Sequence, residues 1–194
     1  PSAAQQFEQL HTQWMSFSGQ MEKLATDYQT ADPAQQETIR QQYAQVATQA
    51  EALLAKLRTA GLAAYAEAPN KDQRIVEMLL SSAAADLSRD RYESAMEVTQ
   101  ILASNKCPNP AAYEFAGAAA YCMDNFELAG KYLQVAADAG PISPMGRNYL
   151  TDTAHAAKLW KAEQSKRALE AQRNDLPRVK LETNRGPIVI ELFE

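Results

Sequence analysis

Apolar positions in the first segment fall at Phe7, Leu10, Trp14, Phe17, Met21, Leu24 and Tyr28, in steps of 3, 4, 3, 4, 3 and 4. That spacing is a heptad seam along one face of a helix. It is followed by Thr30-Ala31-Asp32-Pro33. Asp32 suits an N-cap and Pro33 the first helical turn, so a second helix begins there. Its seam runs Ile39, Tyr43, Val46, Ala50, Leu53 and Leu57. Two long helices joined by so few residues run antiparallel. Residues 4–60 therefore read as a long αα-hairpin, with Trp14, Phe17 and Met21 packed on the second helix. Gly61 is expected to close that helix, and Leu62–Ala68 to add a short helical turn before Pro69-Asn70.

A different pattern follows. Asp90-Arg91-Tyr92-Glu93-Ser94-Ala95 and Asp124-Asn125-Phe126-Glu127-Leu128-Ala129 share Asp-x-aromatic-Glu-x-Ala, 34 residues apart. Ala83 and Gly117, Ala84 and Ala118, and Ala103 and Ala137 keep the same offset. A 34-residue period is that of a helix-turn-helix repeat. After Pro144 a helix is expected from Gly146 to Asn174. Its first half carries Tyr149, Leu150, Ala154, Ala157 and Trp160 and can cap the stack. Its second half, from Lys161, is polar nearly all round and reads as a strut.

At Leu176-Pro177 the chemistry changes. Arg178–Thr183 alternates, Asn184-Arg185-Gly186-Pro187 is turn-like, and Ile188–Phe193 is strongly β-prone, which predicts a β-hairpin. The expected organisation is thus all-α with a β-hairpin at the end: a helical hairpin over 1–69, two repeats over 70–143, a capping and linker helix over 144–175, and the strands over 176–194. Cut off from a larger sheet, such a hairpin exposes Val179, Leu181, Ile188, Ile190 and Leu192 and unpaired edges. It is expected to be disordered or paired with a neighbouring molecule.

Composition narrows the functional classes. Alanine is abundant and Gly totals 7, favouring closely packed helices. Net charge is −5 with no basic stripe, which argues against nucleic acid. No apolar run approaches the ~20 residues of a membrane span. The start Pro1-Ser2-Ala3-Ala4 fits the stub of a removed signal peptide, which points to an exported parent, and equally fits a shortened chain. Cys107, in a loop, and Cys122, near the far end of the next helix, are separated by roughly 20 Å at ~1.5 Å per residue, too far for a disulfide. His11 and His155 stand alone, without metal-ligand spacing. No phosphate loop, nucleophile elbow or zincin motif is present, and no cofactor is implied. Glu77, Glu93, Glu114 and Glu127 read as solvated helix faces.

Residues 110–143 resemble the tetratricopeptide (TPR) family, through Tyr113, Ala116-Gly117, Ala129, Leu133, Ala136 and Pro141. Residues 76–109 resemble it more loosely, with Ala83 for the glycine, Thr99 at a large position and Leu102 at a small one. The small residues Gly117 and Ala129 belong where two helices cross closely. The resemblance implies a concave groove formed in the first repeat by Glu77, Leu80, Ala84, Leu87 and Ser88. In the second repeat it implies Ala111, Glu114, Ala118, Tyr121 and Cys122. The groove lacks the Lys and Asn pairs with which some TPR domains hold a C-terminal carboxylate, and it suits an extended hydrophobic segment or the chain's own N-terminal hairpin.

Val179-Lys180-Leu181-Glu182-Thr183, the Gly186 turn and Ile188-Val189-Ile190-Glu191-Leu192-Phe193 are similar to the opening hairpin of cyclophilin-type peptidyl-prolyl isomerases, over about 17 of 194 residues. Pro187 departs from the pattern. The resemblance implies a parent protein active in protein folding. It places no catalytic residue in these 194, so they are expected to be inactive by themselves. Two expectations follow: an interaction region that binds a protein or peptide, or a helical scaffold that positions or dimerises the parent through the N-terminal hairpin or the C-terminal strands.

Overall fold

A computed structural model describes residues 1–173 and 176–192. Seven helices are followed by two strands: α1 Ala3–Thr30, α2 Pro33–Glu67, α3 Gln73–Leu87, α4 Tyr92–Ser104, α5 Ala111–Cys122, α6 Phe126–Ala139, α7 Pro144–Arg173, β1 Arg178–Thr183 and β2 Gly186–Glu191. The all-α class with a terminal β-hairpin is the observed one. Asn174, the expected end of the last helix, and Phe193 lie outside the described residues.

Local chemistry sets the first two helices. Ser2 accepts from the Gln5 amide while Gln5 reaches back to the Ser2 amide, and Asp32 and Gln35 repeat that reciprocal cap with Pro33 at the first position. Such caps contribute about 1 kcal/mol each. α1 and α2 pack antiparallel along the seam. In α1 only Phe7 is buried, and in α2 burial begins at Ala50. The far part of the hairpin therefore packs only on itself, and its base joins the core.

Gly61 does not end α2. The helix continues to Glu67, and Gly61 is buried at a crossing, where an added Cβ would stand 2.3 Å from Met78 Cε and 3.6 Å from the Phe7 ring. The glycine serves close approach of α2 to α1 and α3, and Tyr65 beyond it joins the core. Tyr65 Oη donates to Asn70 Oδ1 (2.8 Å), and Asn70 Nδ2 donates to the Asn105 carbonyl (2.8 Å), tying the end of α2 to the end of α4.

α3–α4 and α5–α6 are two helix-turn-helix units closed by matching turns. Asp90 and Asp124 both take a left-handed conformation, φ 57° and 60°. The Arg91 amide donates to the Asp86 carbonyl and the Asn125 amide to the Ala120 carbonyl, each at 2.9 Å. This is a Schellman-type ending, so the repeated sequence pattern is a repeated backbone. At Gly117 an added Cβ would meet Leu133 Cγ at 2.5 Å, the close α5–α6 crossing that the small residues anticipate. The main core gathers Phe7, Leu57, Tyr65, Leu79, Val98 and Leu102. A smaller one forms around Ala120, Ala129 and Leu133.

β1 and β2 pair antiparallel, Val179 opposite Ile190 and Leu181 opposite Ile188, around a turn in which Gly186 holds φ +112°. Pro187 sits opposite Glu182 within the ladder. The expectation of disorder is not met: the ladder is formed, yet both faces are exposed, including the apolar one of Val179, Leu181, Ile188 and Ile190. The other expectation, pairing with a neighbouring molecule, concerns an assembly that one chain does not contain.

Candidate functional site

The groove positions divide into four groups. Leu80 is buried in the main core and Ala118 is 1% exposed, so neither is offered to a ligand. Ala84 is half-buried on α3.

Glu114 and Tyr121 are held by α7. Glu114 is buried, against the expectation of a solvated face. Its Oε1 accepts the Ser143 amide at 3.1 Å and lies 2.7 Å from where a Cβ on Gly146 would be. The N-terminus of α7, capped by the Ser143 hydroxyl on the Gly146 amide (3.0 Å), supplies the partner that makes a buried carboxylate tolerable. Tyr121 Oη donates to Asp152 Oδ2 at 2.5 Å, and its ring stacks on Tyr149 at 4.2 Å with the Phe126 edge at 5.1 Å. The hydrogen bond to Asp152, with burial, raises the Tyr121 phenol to about 12. Cys122 Sγ lies 3.7 Å from Tyr149 Oη. The α5 half of the predicted groove is thus occupied from within, because α7 carries an aromatic and an acceptor that match Tyr121.

Glu77 alone reaches an open concave surface. A cleft of about 460 Å³ lies among α1, α2 and α3, lined by His11, Trp14, Met15, Leu54, Arg74, Glu77, Met78, Ser81, Ser82 and Ala85. Its floor is apolar. Arg74 is engaged by Glu8 (2.8 Å) and Asp72 (2.9 Å) at one end, and the Arg74 hydrogen bond holds the Asp72 carboxyl below its ordinary value. Ser82 is 7% exposed, and its hydroxyl makes no hydrogen bond among the described residues. No fully enclosed side-chain polar atom among them lacks a partner. The Ser82 hydroxyl therefore meets solvent, through the clefts it lines.

Beyond Leu54, Ser82 and Ala85 the cleft continues into a second, polar one of about 310 Å³ lined by Glu51, Arg58, Asp86, Arg89, Arg91, Ser94 and Glu97. Its centre is Arg58. Nη1 donates to Asp86 Oδ2 (2.7 Å) and Ser94 Oγ (2.6 Å), and Nη2 to the Ser94 carbonyl (2.8 Å) and Glu97 Oε2 (3.2 Å). Arg91 holds the other Asp86 oxygen at 2.8 Å. Sequence reasoning missed this network. The available signal was an arginine between Leu57 and Ala60 on the buried side of α2, and an aspartate inside the apolar run of α3.

No family model, curated protein or solved structure matches this chain. Among the described residues no group of three or more His, Cys, Asp or Glu is placed to hold a metal ion, and no helix is long and apolar enough to cross a membrane. Cys107 and Cys122 are both free thiols, and burial pushes the Cys107 thiol up. His155 is exposed on α7, and His11 lies on the cleft against the Phe7 ring at 5.4 Å.

Proposed function

We propose that these helices are a protein-interaction region that binds an extended, largely apolar peptide segment in the α1–α2–α3 cleft. One observation carries the reading: a concave surface of about 460 Å³ with Trp14, Leu54 and Met78 on its floor and, on its wall, the solvent-facing hydroxyl of Ser82, which has no hydrogen-bond partner among the described residues. Apolar lining with few polar groups is the usual composition of a ligand cleft. A peptide laid there seats apolar side chains on the floor and offers backbone groups to Ser82, and its continuation meets the polar cleft around Arg58.

The repeat spacing supports placing the α3–α6 units with TPR-like modules. The likeness of residues 179–193 to a cyclophilin opening supports a parent protein that pairs this region with a prolyl isomerase. In that arrangement the helices hold an unfolded client beside the isomerase, and the 194 residues contribute binding without catalysis. A scaffolding role is the second reading. It is favoured by the Tyr121–Asp152–Tyr149 cluster, which fills the α5 face from within.

Trp14 and Trp160 are the two tryptophans. With Trp160→Phe as background, Trp14 fluorescence reports the cleft directly. Titration with a library of unfolded, apolar peptides is expected to shift that emission and saturate. Met15→Glu and Ser82→Asp abolish the shift, and Tyr121→Phe leaves it unchanged. Saturable binding that ignores Met15→Glu, or no binding across the library, refutes the cleft and leaves the scaffold.

A further inference from the structure

The aromatic of the repeated turn occurs a third time: Tyr92, Phe126 and Trp160 stand 34 residues apart. Pro110 and Pro144, before α5 and at the start of α7, keep the same interval. In this register α7 begins as the first helix of a third unit. The first two units turn at Asp90 and Asp124, but the matching Lys158 stays helical and α7 runs straight to Arg173. Side-chain chemistry explains the difference. Ala95 and Ala129 correspond to Glu163, Thr99 and Leu133 to Arg167, and Leu102 and Ala136 to Glu170. A returning helix would bury three charges where the other units bury methyl groups, so the fold-back is forbidden.

The straight continuation of α7 instead bounds, with Phe126 of α6, a cleft of about 550 Å³ whose lining includes Ala156, Leu159, Trp160, Glu163 and Lys166. Leu159 is 57% exposed and Leu169 54%, the highest values among the large apolar residues of the described helices. Leu159, Ala162, Lys166 and Leu169 are all exposed and follow each other in steps of 3, 4 and 3, a short heptad seam.

We infer that a second copy of this chain covers this cleft, with the two α7 helices antiparallel. The seam is its own complement only in that direction. Centred on Gln164, an antiparallel pair sets Leu159 against Leu169 of the other copy, and Lys166 beside Ala162 and Glu163 of the other copy. A parallel pair would stack Lys166 on Lys166. The arrangement is isologous, so both clefts close at once. Within one chain Glu163 pairs with Arg167 on the surface, and Lys166 makes a long contact of 3.7 Å with the half-buried Glu170. Exposed or long pairs of this kind contribute little and yield readily to the new ones.

Sedimentation equilibrium of the full chain from micromolar to millimolar concentration tests this. A monomer–dimer equilibrium is expected, weakened about tenfold or more by Leu159→Asp, with the circular-dichroism spectrum unchanged because Leu159 is exposed. Glu163→Lys and Lys166→Glu each weaken it. Mixing those two variants restores a heterodimer, since every contact then faces the opposite sign. A chain monomeric throughout the range overturns the inference, as does a dimer indifferent to Leu159→Asp. A mixture no tighter than either single variant overturns the antiparallel pairing.

Discussion

Arg58 of α2 and Asp86 of α3 form an ion pair, Nη1 to Oδ2 at 2.7 Å, in which the aspartate side chain is only 5% exposed. Ser94 of α4 donates to the same oxygen at 2.6 Å, so one carboxylate joins the N-terminal hairpin to both helices of the first repeat unit. Removing either charge leaves the other with only its more exposed partner, Arg91 for Asp86 and Glu97 for Arg58. Arg58→Ala or Asp86→Ala is expected to destabilise the fold by about 1–3 kcal/mol, below the cost of a wholly uncompensated buried charge. The double variant is expected to lose much less than the sum. Chemical denaturation across the double-mutant cycle measures the coupling, and simple additivity would show that the pair does not clamp the units.

The two crossing glycines are expected to behave differently. At Gly117 an added Cβ meets Leu133 at its branch point and also its backbone amide, 3.1 Å away, neither of which gives way easily. Gly117→Ala should therefore cost about 1–3 kcal/mol, as overpacking does. At Gly61 the clash is with the mobile end of Met78, and alanine gains up to about 1 kcal/mol of helix propensity, so Gly61→Ala should be close to neutral. Thermal melts of the two variants decide, and equal losses would contradict the distinction.

Stability should fall at alkaline pH. Burial raises the Tyr65 phenol to about 12, and the Asp152 hydrogen bond does the same for Tyr121. An unfolded phenol titrates near 10. Both groups thus favour the protonated, folded state. Their contribution is complete below about pH 10 and is lost as pH rises from about 10 to 12. Tyr92, Tyr113 and Tyr149 are raised as well, so ultraviolet titration should show several late phenols, and Asp152→Asn should bring Tyr121 down while leaving Tyr65.

Removing residues 174–194 should leave the melting of the helices unchanged. Both strands are exposed on both faces, so the helices draw little from them. Gly186→Val, which places a branched side chain at φ +112°, should unpair the strands without touching the helical signal. Loss of the Val179–Ile190 cross-strand contact by NMR is the readout.

Periodicity makes the helices legible, and the 34-residue offset marks the two matching segments that turn at Asp90 and Asp124, though not their left-handed backbone. The caps at Asp32 and the small residues at the α5–α6 crossing were equally plain, because each acts within a few residues or repeats. Gly61 was misread because a glycine after an apolar seam fits a helix end as well as a crossing. Only the position of Phe7 and Met78, distant in sequence, separates the two. Arg58–Asp86, Glu114–Ser143 and Tyr121–Asp152 join residues about 30 apart through packing that no local pattern encodes. For that reason half of the expected groove falls on α5, where α7 already lies, while the open cleft beside Trp14 and Ser82, which Glu77 of the other half borders, is not legible from the sequence.

The length of α2 has a mechanical consequence. Its first part, Pro33 to Gln49, contains no buried residue, and at ~1.5 Å per residue it projects about 25 Å before the helix enters the core. The same rigid rod then carries Arg58. The hairpin tip is thus a lever arm with its fulcrum at the core. Amide exchange should quicken steadily from Leu57 outward, and a load on the tip would be felt at Asp86 as torque.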